Sequence, residues 1–209
     1  MSAVLRSRPR MIVAEFVEMI RPYPDEERWE LLDGEAVLMA PQSERHQGIV
    51  ANLLDCVRPR ARKNNCRALP GLGLINDEIG DYAPIPDVVV RCGPMLDGGY
   101  AKDAVFLAEV LSPSTMNNDR GRKLDFYRKL STLRTILVIY QDEVRVEAWQ
   151  RDGDEWRREV RQGRGASLDL PELGGTLALA DIYEGIPLDD RATATPSAGP
   201  REDLTGAET

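Results

Sequence analysis

The sequence predicts one mixed α/β (α+β) domain built around a single sheet. Three observations lead there. The elements read in the order helix, hairpin, helix, several strands, helix, strands. The length of 209 residues suits one domain, or one domain plus a tail, and lets about two-thirds of the unfolded surface be buried without disulfides. Hydrophobic residues are 42% and charged residues 30%, the balance of an ordinary globular protein rather than a collagenous, disordered or membrane-spanning one.

Met11 to Ile20 predicts a short amphipathic helix, with Ile12, Val13, Phe16, Val17 and Ile20 at helical spacing, ended by Pro22 and Pro24. Trp29 to Leu32 and Glu35 to Met39 flank Asp33-Gly34, a dipeptide suited to the positive φ angles of a tight hairpin turn. Pro41 and Ser43 open a second helix with an apolar stripe of Ile49, Val50, Leu53, Leu54 and Val57, expected to kink or stop near Pro59. Strands follow: a weak one over Leu69 to Ile75, then strong ones over Pro86 to Arg91 and Val105 to Leu111. Ser112-Pro113-Ser114-Thr115 breaks the chain before a helix from about Asn118 to Leu130. Thr135 to Tyr140 reads as a buried strand, Glu143 to Gln150 as an edge or hairpin strand, and Trp156 to Val160 and Leu168 to Ile182 as shorter β segments or turns. The expected segments are a flexible N-terminus over 1–10, the folded domain over 11–186 and a disordered tail over 187–209.

Composition removes several functions. One histidine, His46, excludes a multi-histidine metal site, and Cys56, Cys66 and Cys92 lack the paired spacing of a zinc site. An odd cysteine count without CxxC reads as reduced thiols in a cytoplasmic protein. There is no GxSxG elbow and no phosphate-binding glycine loop, and neither a spanning helix nor a secretory signal is expected. The net charge of −8, from 27 basic and 35 acidic residues, is not that of a broadly basic nucleic-acid binder.

Two acids stand out. Asp87 starts one apolar strand and Glu109 lies inside another, and acids are rarely tolerated in buried strands unless paired or bound to a metal. If the strands are neighbours, both carboxylates can meet on one hard cation. Lys123, on the helix after the Glu109 strand, can reach the same point, with Tyr127 on the same helical face and Arg120 one turn earlier. Two acids and a lysine suit phosphodiester hydrolysis: the cation polarises the phosphate and the ammonium stabilises developing negative charge.

At these residues the sequence resembles the Uma-two family, bacterial proteins assigned as endonucleases within the restriction-endonuclease-like superfamily and its PD-(D/E)xK motif. The matching pieces are Glu15-Phe16, Trp29 to Glu35, His46, Pro86 to Val90, Glu109 to Thr115, Asp119, Lys123 and Tyr127. The resemblance runs from about residue 11 to 185. It implies a restriction-endonuclease-like core with a mixed central sheet flanked by helices. It also implies Asp87 and Glu109 as ligands of magnesium or manganese, Lys123 as the catalytic lysine, a DNA substrate and a homodimer. The superfamily's usual lysine position, two after the second acid, is Leu111 here, and the resemblance moves that role to Lys123. Glu30, Glu35, His46 and Tyr127 match family positions as supporting residues. The strand Thr135 to Tyr140 departs from the family's usual Tyr-Trp-Leu-Val-Asp-like text.

Structural readings stand beside these. Asp87 can cap a strand, Glu109 can pair with an arginine, and Lys123 can be a solvated helical lysine. Tyr127 suits core packing, His46 a helix cap, Glu30 and Glu35 cross-strand pairs, and Asp119 a helix N-terminal charge. Two basic clusters, one holding Arg60, Arg62 and Lys63 and one holding Arg120 and Arg122, read either as solvated faces or as phosphate contacts. The leading expectation is a metal-dependent DNA endonuclease. A nuclease-fold protein that binds or regulates with little turnover is the alternative. A metal-free carboxylate hydrolase is a third reading that leaves Lys123 without a task.

Overall fold

The computed structural model describes residues 10–24, 26–111 and 120–188. The expected break at Ser112 to Thr115, Asp119, and most of the expected N-terminal and C-terminal segments lie outside the described residues, as does the side chain of Arg120.

Helix α1 spans Val13–Ile20. Strands β1 (Trp29–Leu32) and β2 (Glu35–Leu38) form the expected hairpin, with Asp33 at φ 52° and Gly34 at φ 78°, the conformation Asp-Gly favours. Helix α2 spans Glu44–Lys63, and Ser43 caps it by accepting from the His46 N–H at 3.2 Å, a contact worth about 1 kcal/mol. Pro59 neither stops nor ends this helix. Its missing N–H would have bonded the carbonyl of Asp55, and both residues sit on the exposed side where water substitutes. Beyond it, fully buried Ala61 keeps the last turn packed.

The remaining elements are β3 (Arg67–Pro70), β4 (Gly73–Leu74), β5 (Val88–Arg91), β6 (Tyr100–Ala101), β7 (Ala104–Leu111), α3 (Arg120–Arg128), β8 (Thr135–Tyr140), β9 (Arg145–Asp152), β10 (Glu155–Gln162), β11 (Ser167–Leu170), β12 (Gly175–Ala178) and α4 (Leu179–Ile182). The central sheet has six strands in the order β10-β9-β8-β7-β5-β3. Only the β7–β8 pair in it is parallel, joined by the crossover that contains α3. Three two-stranded sheets, β1-β2, β4-β6 and β11-β12, surround it. Strand β9, expected as an edge or hairpin strand, forms a hairpin with β10 and is interior, with β10 at the edge.

Alternation along β5 and β7 builds two cores. Val88, Val90, Phe106, Ala108 and Val110 pack with Ile49, Leu53 and Val57 of α2. Val89, Leu107 and Leu111 pack with Leu124, Phe126 and Tyr127 of α3. A third cluster of Phe16, Leu31 and Ala83 fixes α1 and the hairpin beside the sheet. Among the described residues no helix is long and apolar enough to cross a membrane.

One expectation is corrected. Cys66 and Cys92 are joined in a disulfide, leaving Cys56 as the free thiol. Strands β3 and β5 are antiparallel with Arg67 opposite Arg91. The residues one step outside that pair therefore face each other, with Cα atoms 4.0 Å apart. A bond made across strands leaves no trace in local spacing, which is why CxxC counting misses it.

Candidate active site

The pairing of Val88 with Ala108, continued one residue, sets Asp87 across from Glu109. Glu109 shares its face of β7 with Leu107 and Leu111, the side that α3 covers. Tyr127 of α3 donates to Glu109 Oε1 at 2.5 Å, and the Lys123 ammonium lies 3.7 Å from the same oxygen. Lys123 also donates to Glu30 Oε1 at 2.8 Å. That oxygen accepts the Ile85 N–H at 2.7 Å as well, which fixes the β1 side chain against the segment leading into β5. Asp87 Oδ2 accepts the Val110 N–H at 2.7 Å and lies 3.2 Å from His46 Nε2. His46 is delivered by the first turn of α2. Its Nδ1 is buried with no hydrogen-bond partner among the described residues, so of the two tautomers the Nε2–H one, which donates toward Asp87 and leaves a lone pair on Nδ1, is the less costly.

The centre gathers three carboxylates, Glu30, Asp87 and Glu109, around one ammonium. Their side chains are only 6%, 10% and 16% exposed, and Lys123 is 17% exposed. Burial is the largest influence on Glu109 and pushes its carboxyl up. Lys123 pulls the other way, the charges of Asp87 and Glu30 push up again, and the Tyr127 hydrogen bond pulls down, with a result of about 7. Desolvation and like charge together therefore outweigh the lysine. Burial, then the Glu109 charge, holds the Tyr127 phenol well above its ordinary range, so Tyr127 remains a donor.

These residues line a cavity of about 540 Å³ between the β1-β2 hairpin, the start of α2, the ends of β7 and β8, and α3. Among the described residues there is no group of three or more His, Cys, Asp or Glu side chains suited to caging a metal. Magnesium rarely uses such a cage. It takes one or two carboxylates and fills its shell with water and substrate phosphate. The donor set fits that pattern. The recorded contacts use Asp87 Oδ2 and Glu109 Oε1, leaving Oδ1 and Oε2 without a protein partner among the described residues. The surplus of buried negative charge is what a divalent cation would neutralise.

The expected residues Asp87, Glu109, Lys123, Glu30, His46 and Tyr127 thus line one cavity. Glu35 does not: it is exposed on β2, opposite Leu32. Arg122 stands near the rim in an ion pair with Asp33. Arg60, Arg62 and Lys63 lie roughly 21 to 26 Å along α2 from His46, at 1.5 Å per residue. The Arg60 guanidinium is spent on the carbonyls of Cys56 and Thr176, each at 2.7 Å. Sequence reasoning missed Gln141, which follows β8, lines the cavity and accepts from Ser43 Oγ at 3.2 Å. A neutral side chain at a strand end carries no pattern that marks it.

The mixed six-stranded sheet and its flanking helices define an α+β domain. The chain belongs to the Uma2 family, described as "Putative restriction endonuclease", whose profile matches residues 13–180. The resemblance read from the motifs and the mixed sheet flanked by helices are both borne out. A crystal structure from Anabaena variabilis ATCC 29413, described as "a putative nuclease belonging to DUF820", superposes with a TM-score of 0.67. It is 18% identical, covering 83% of this chain and 97% of that one, a likeness of fold. An uncharacterized protein of Synechocystis is 25% identical over 165 residues, 77% of this chain and 85% of that protein. A second uncharacterized Synechocystis protein is 37% identical over 65 residues, 31% of this chain and 37% of the other.

Proposed function

We propose that this chain is a metal-dependent endonuclease that hydrolyses DNA phosphodiester bonds, with Asp87 and Glu109 as the metal ligands and Lys123 as the catalytic lysine. The observation that carries the reading is the meeting of Glu109 with Lys123 at 3.7 Å, opposite Asp87 in the β5–β7 register.

A bound magnesium or manganese ion supplies Lewis acidity toward the phosphate and the attacking water. The chain's own groups do the rest. Tyr127 pins Glu109 Oε1 and thereby presents Oε2 to the cavity. His46 and the Val110 N–H hold Asp87 Oδ2 and present Oδ1 in the same way. Lys123, held by Glu30, orients the attacking water and places fixed positive charge where the phosphoryl oxygens gain negative charge. Water attacks phosphorus in line, forming the new P–O bond as the P–O3′ bond breaks; the water gives its proton to solvent and the departing 3′ oxygen takes one from solvent, leaving 5′-phosphate and 3′-hydroxyl ends.

The test is cleavage of plasmid and oligonucleotide DNA with magnesium or manganese by the wild type, Asp87→Asn, Glu109→Gln and Lys123→Met. The proposal expects each substitution to lower cleavage by at least 100-fold while the folded spectrum is kept. Cleavage that survives all three, or persists in excess chelator, rejects the mechanism. The homodimer belongs to the same proposal, and sedimentation of the purified chain tests it: a monomer at micromolar concentration removes it.

A further inference from the structure

Charge on the Glu109 face of the sheet continues past the reaction centre. Glu109 of β7 stands opposite Val138 of β8, and Val138 stands opposite Glu147 of β9. Glu147 therefore shares that face two strands away, roughly 9.5 Å across at the usual strand spacing. Val138, between them, is a wall of the cavity. Glu147 is fully buried, and the reaction proposed above does not use it. Its Oε1 accepts from the Tyr140 hydroxyl at 2.6 Å and from Arg145 Nη2 at 3.1 Å, and its Oε2 accepts from Arg158 Nε at 2.9 Å.

We propose that Arg145 and Arg158 hold the DNA backbone beside the bond that is cut, and that Glu147 is the positioning residue that fixes them there. This rests on the nuclease reading above and names where the chain grips its substrate beyond the reaction centre. Four observations point the same way. First, Arg158 is 44% exposed and commits only Nε to Glu147, so both its Nη groups are without a protein partner among the described residues. A guanidinium anchored in this way offers the planar fork that suits phosphate oxygens. Second, aromatic rings help to set both guanidinium groups: Arg145 lies 4.5 Å from the Tyr140 ring centre and Arg158 5.7 Å from that of Trp149. Third, one buried carboxylate faces two guanidinium groups. Arg145 also reaches Glu143 at 3.3 Å, but that acid is 48% exposed and screened by water. A second arginine is more than a structural pair requires, and buried ion pairs add little stability over apolar packing. Fourth, the basic residues that the sequence singles out are committed elsewhere: Arg122 pairs with Asp33, and Arg60 holds backbone carbonyls. In a chain of net charge −8, affinity for the backbone then falls to a few local arginines. At ~3.4 Å of rise per nucleotide, the separation from Glu109 places this contact within about three nucleotides of the scissile phosphate.

The experiment measures binding of the full chain to a labelled duplex of about 20 base pairs by fluorescence anisotropy over a range of salt concentrations, with calcium replacing magnesium so that binding is read without turnover. Arg158→Gln is expected to weaken binding about tenfold and to make the slope of log affinity against log salt shallower by about 0.9, the loss of one phosphate contact. Arg157→Gln is the control. It removes the same charge from the next residue of β10, on the opposite face, where Arg157 is 79% exposed and paired with Asp152, and it should leave affinity and slope unchanged. Glu147→Gln should raise the KM for DNA with kcat changed by less than about twofold, because it acts through the arginines and not on the reacting atoms. An Arg158 variant that binds like the wild type, or that loses no more than the Arg157 variant, overturns the proposal whether or not the Glu147 variant folds. A folded Glu147 variant that loses kcat and keeps KM overturns the positioning role. Hydrolysis of bis(p-nitrophenyl) phosphate by the wild type with magnesium or manganese separates the two levels. Diester cleavage without Arg158-dependent binding removes the backbone contact alone. Arg158-dependent binding without diester cleavage removes the catalytic reading and leaves the contact.

Discussion

The Lys123 ammonium donates to Glu30 Oε1 at 2.8 Å and lies 3.7 Å from Glu109 Oε1, so one cation on α3 ties the hairpin to the central sheet. Glu30 is the acid that the ammonium contacts more closely, and both partners of that pair are nearly buried. Taking away Glu30 removes the closer of the two carboxylates that offset the Lys123 charge.

Glu30→Ala is therefore expected to cost about 3 kcal/mol in urea unfolding, and Glu30→Gln clearly less, since the amide still accepts from the Ile85 N–H. Equal losses for the two variants would show that the Glu30 charge has no part in holding Lys123.

The same pair sets the proton affinity of Glu109. The Glu30 charge raises it and the Lys123 charge lowers it. Glu30→Gln is expected to move the Glu109 titration down in pH, and Lys123→Met to move it up. Carbon-detected NMR of the Glu109 carboxyl reads both, and shifts of the same sign would contradict the electrostatic account.

Stability should depend on pH in a definite direction. The folded Glu109 carboxyl is raised to about 7 from an ordinary 4.5. The folded state then keeps a proton that the unfolded state has already released, so the contribution is complete below about 4.5 and is lost as pH rises through 7. Metal-free protein should lose stability between pH 5 and pH 8, Glu109→Gln should lose less, and added manganese should raise Tm more at pH 8 than at pH 6. A metal effect that is larger at pH 6 would reverse the sign and refute the cause.

The Cys66–Cys92 bond closes a loop with a sequence separation of 26. A loop of that size predicts a loss of about 3.5 kcal/mol on reduction or in the Cys66→Ala, Cys92→Ala double variant. Denaturant midpoints with and without reductant test this, and coincident curves would show that the bridge adds nothing.

Particular residues show how far the sequence could be read. The Asp33-Gly34 turn, the α2 start at Ser43 and the strands around Val88 and Glu109 follow from local chemistry, and the structure has them. An acid inside an apolar strand proved a useful but incomplete signal. Glu109 opens onto the cavity, whereas Glu147 in β9 is fully buried and satisfied by Arg145, Arg158 and Tyr140. Local pattern could not separate the two, because their partners come from elsewhere in the fold. The Cys66–Cys92 bond, the Ser43–Gln141 contact and the isolation of Glu35 from the cavity likewise depend on register and packing. Helix α2 passing Pro59 depends on burial of Ala61, which helix propensity does not contain.

The most direct test of the two-acid site is anomalous diffraction from crystals soaked in manganese. The proposal predicts one peak in contact with both Asp87 Oδ1 and Glu109 Oε2, at about 2.0–2.6 Å for hard oxygen ligation, lost in Glu109→Gln. A manganese peak elsewhere, or none at concentrations that support cleavage, would contradict it.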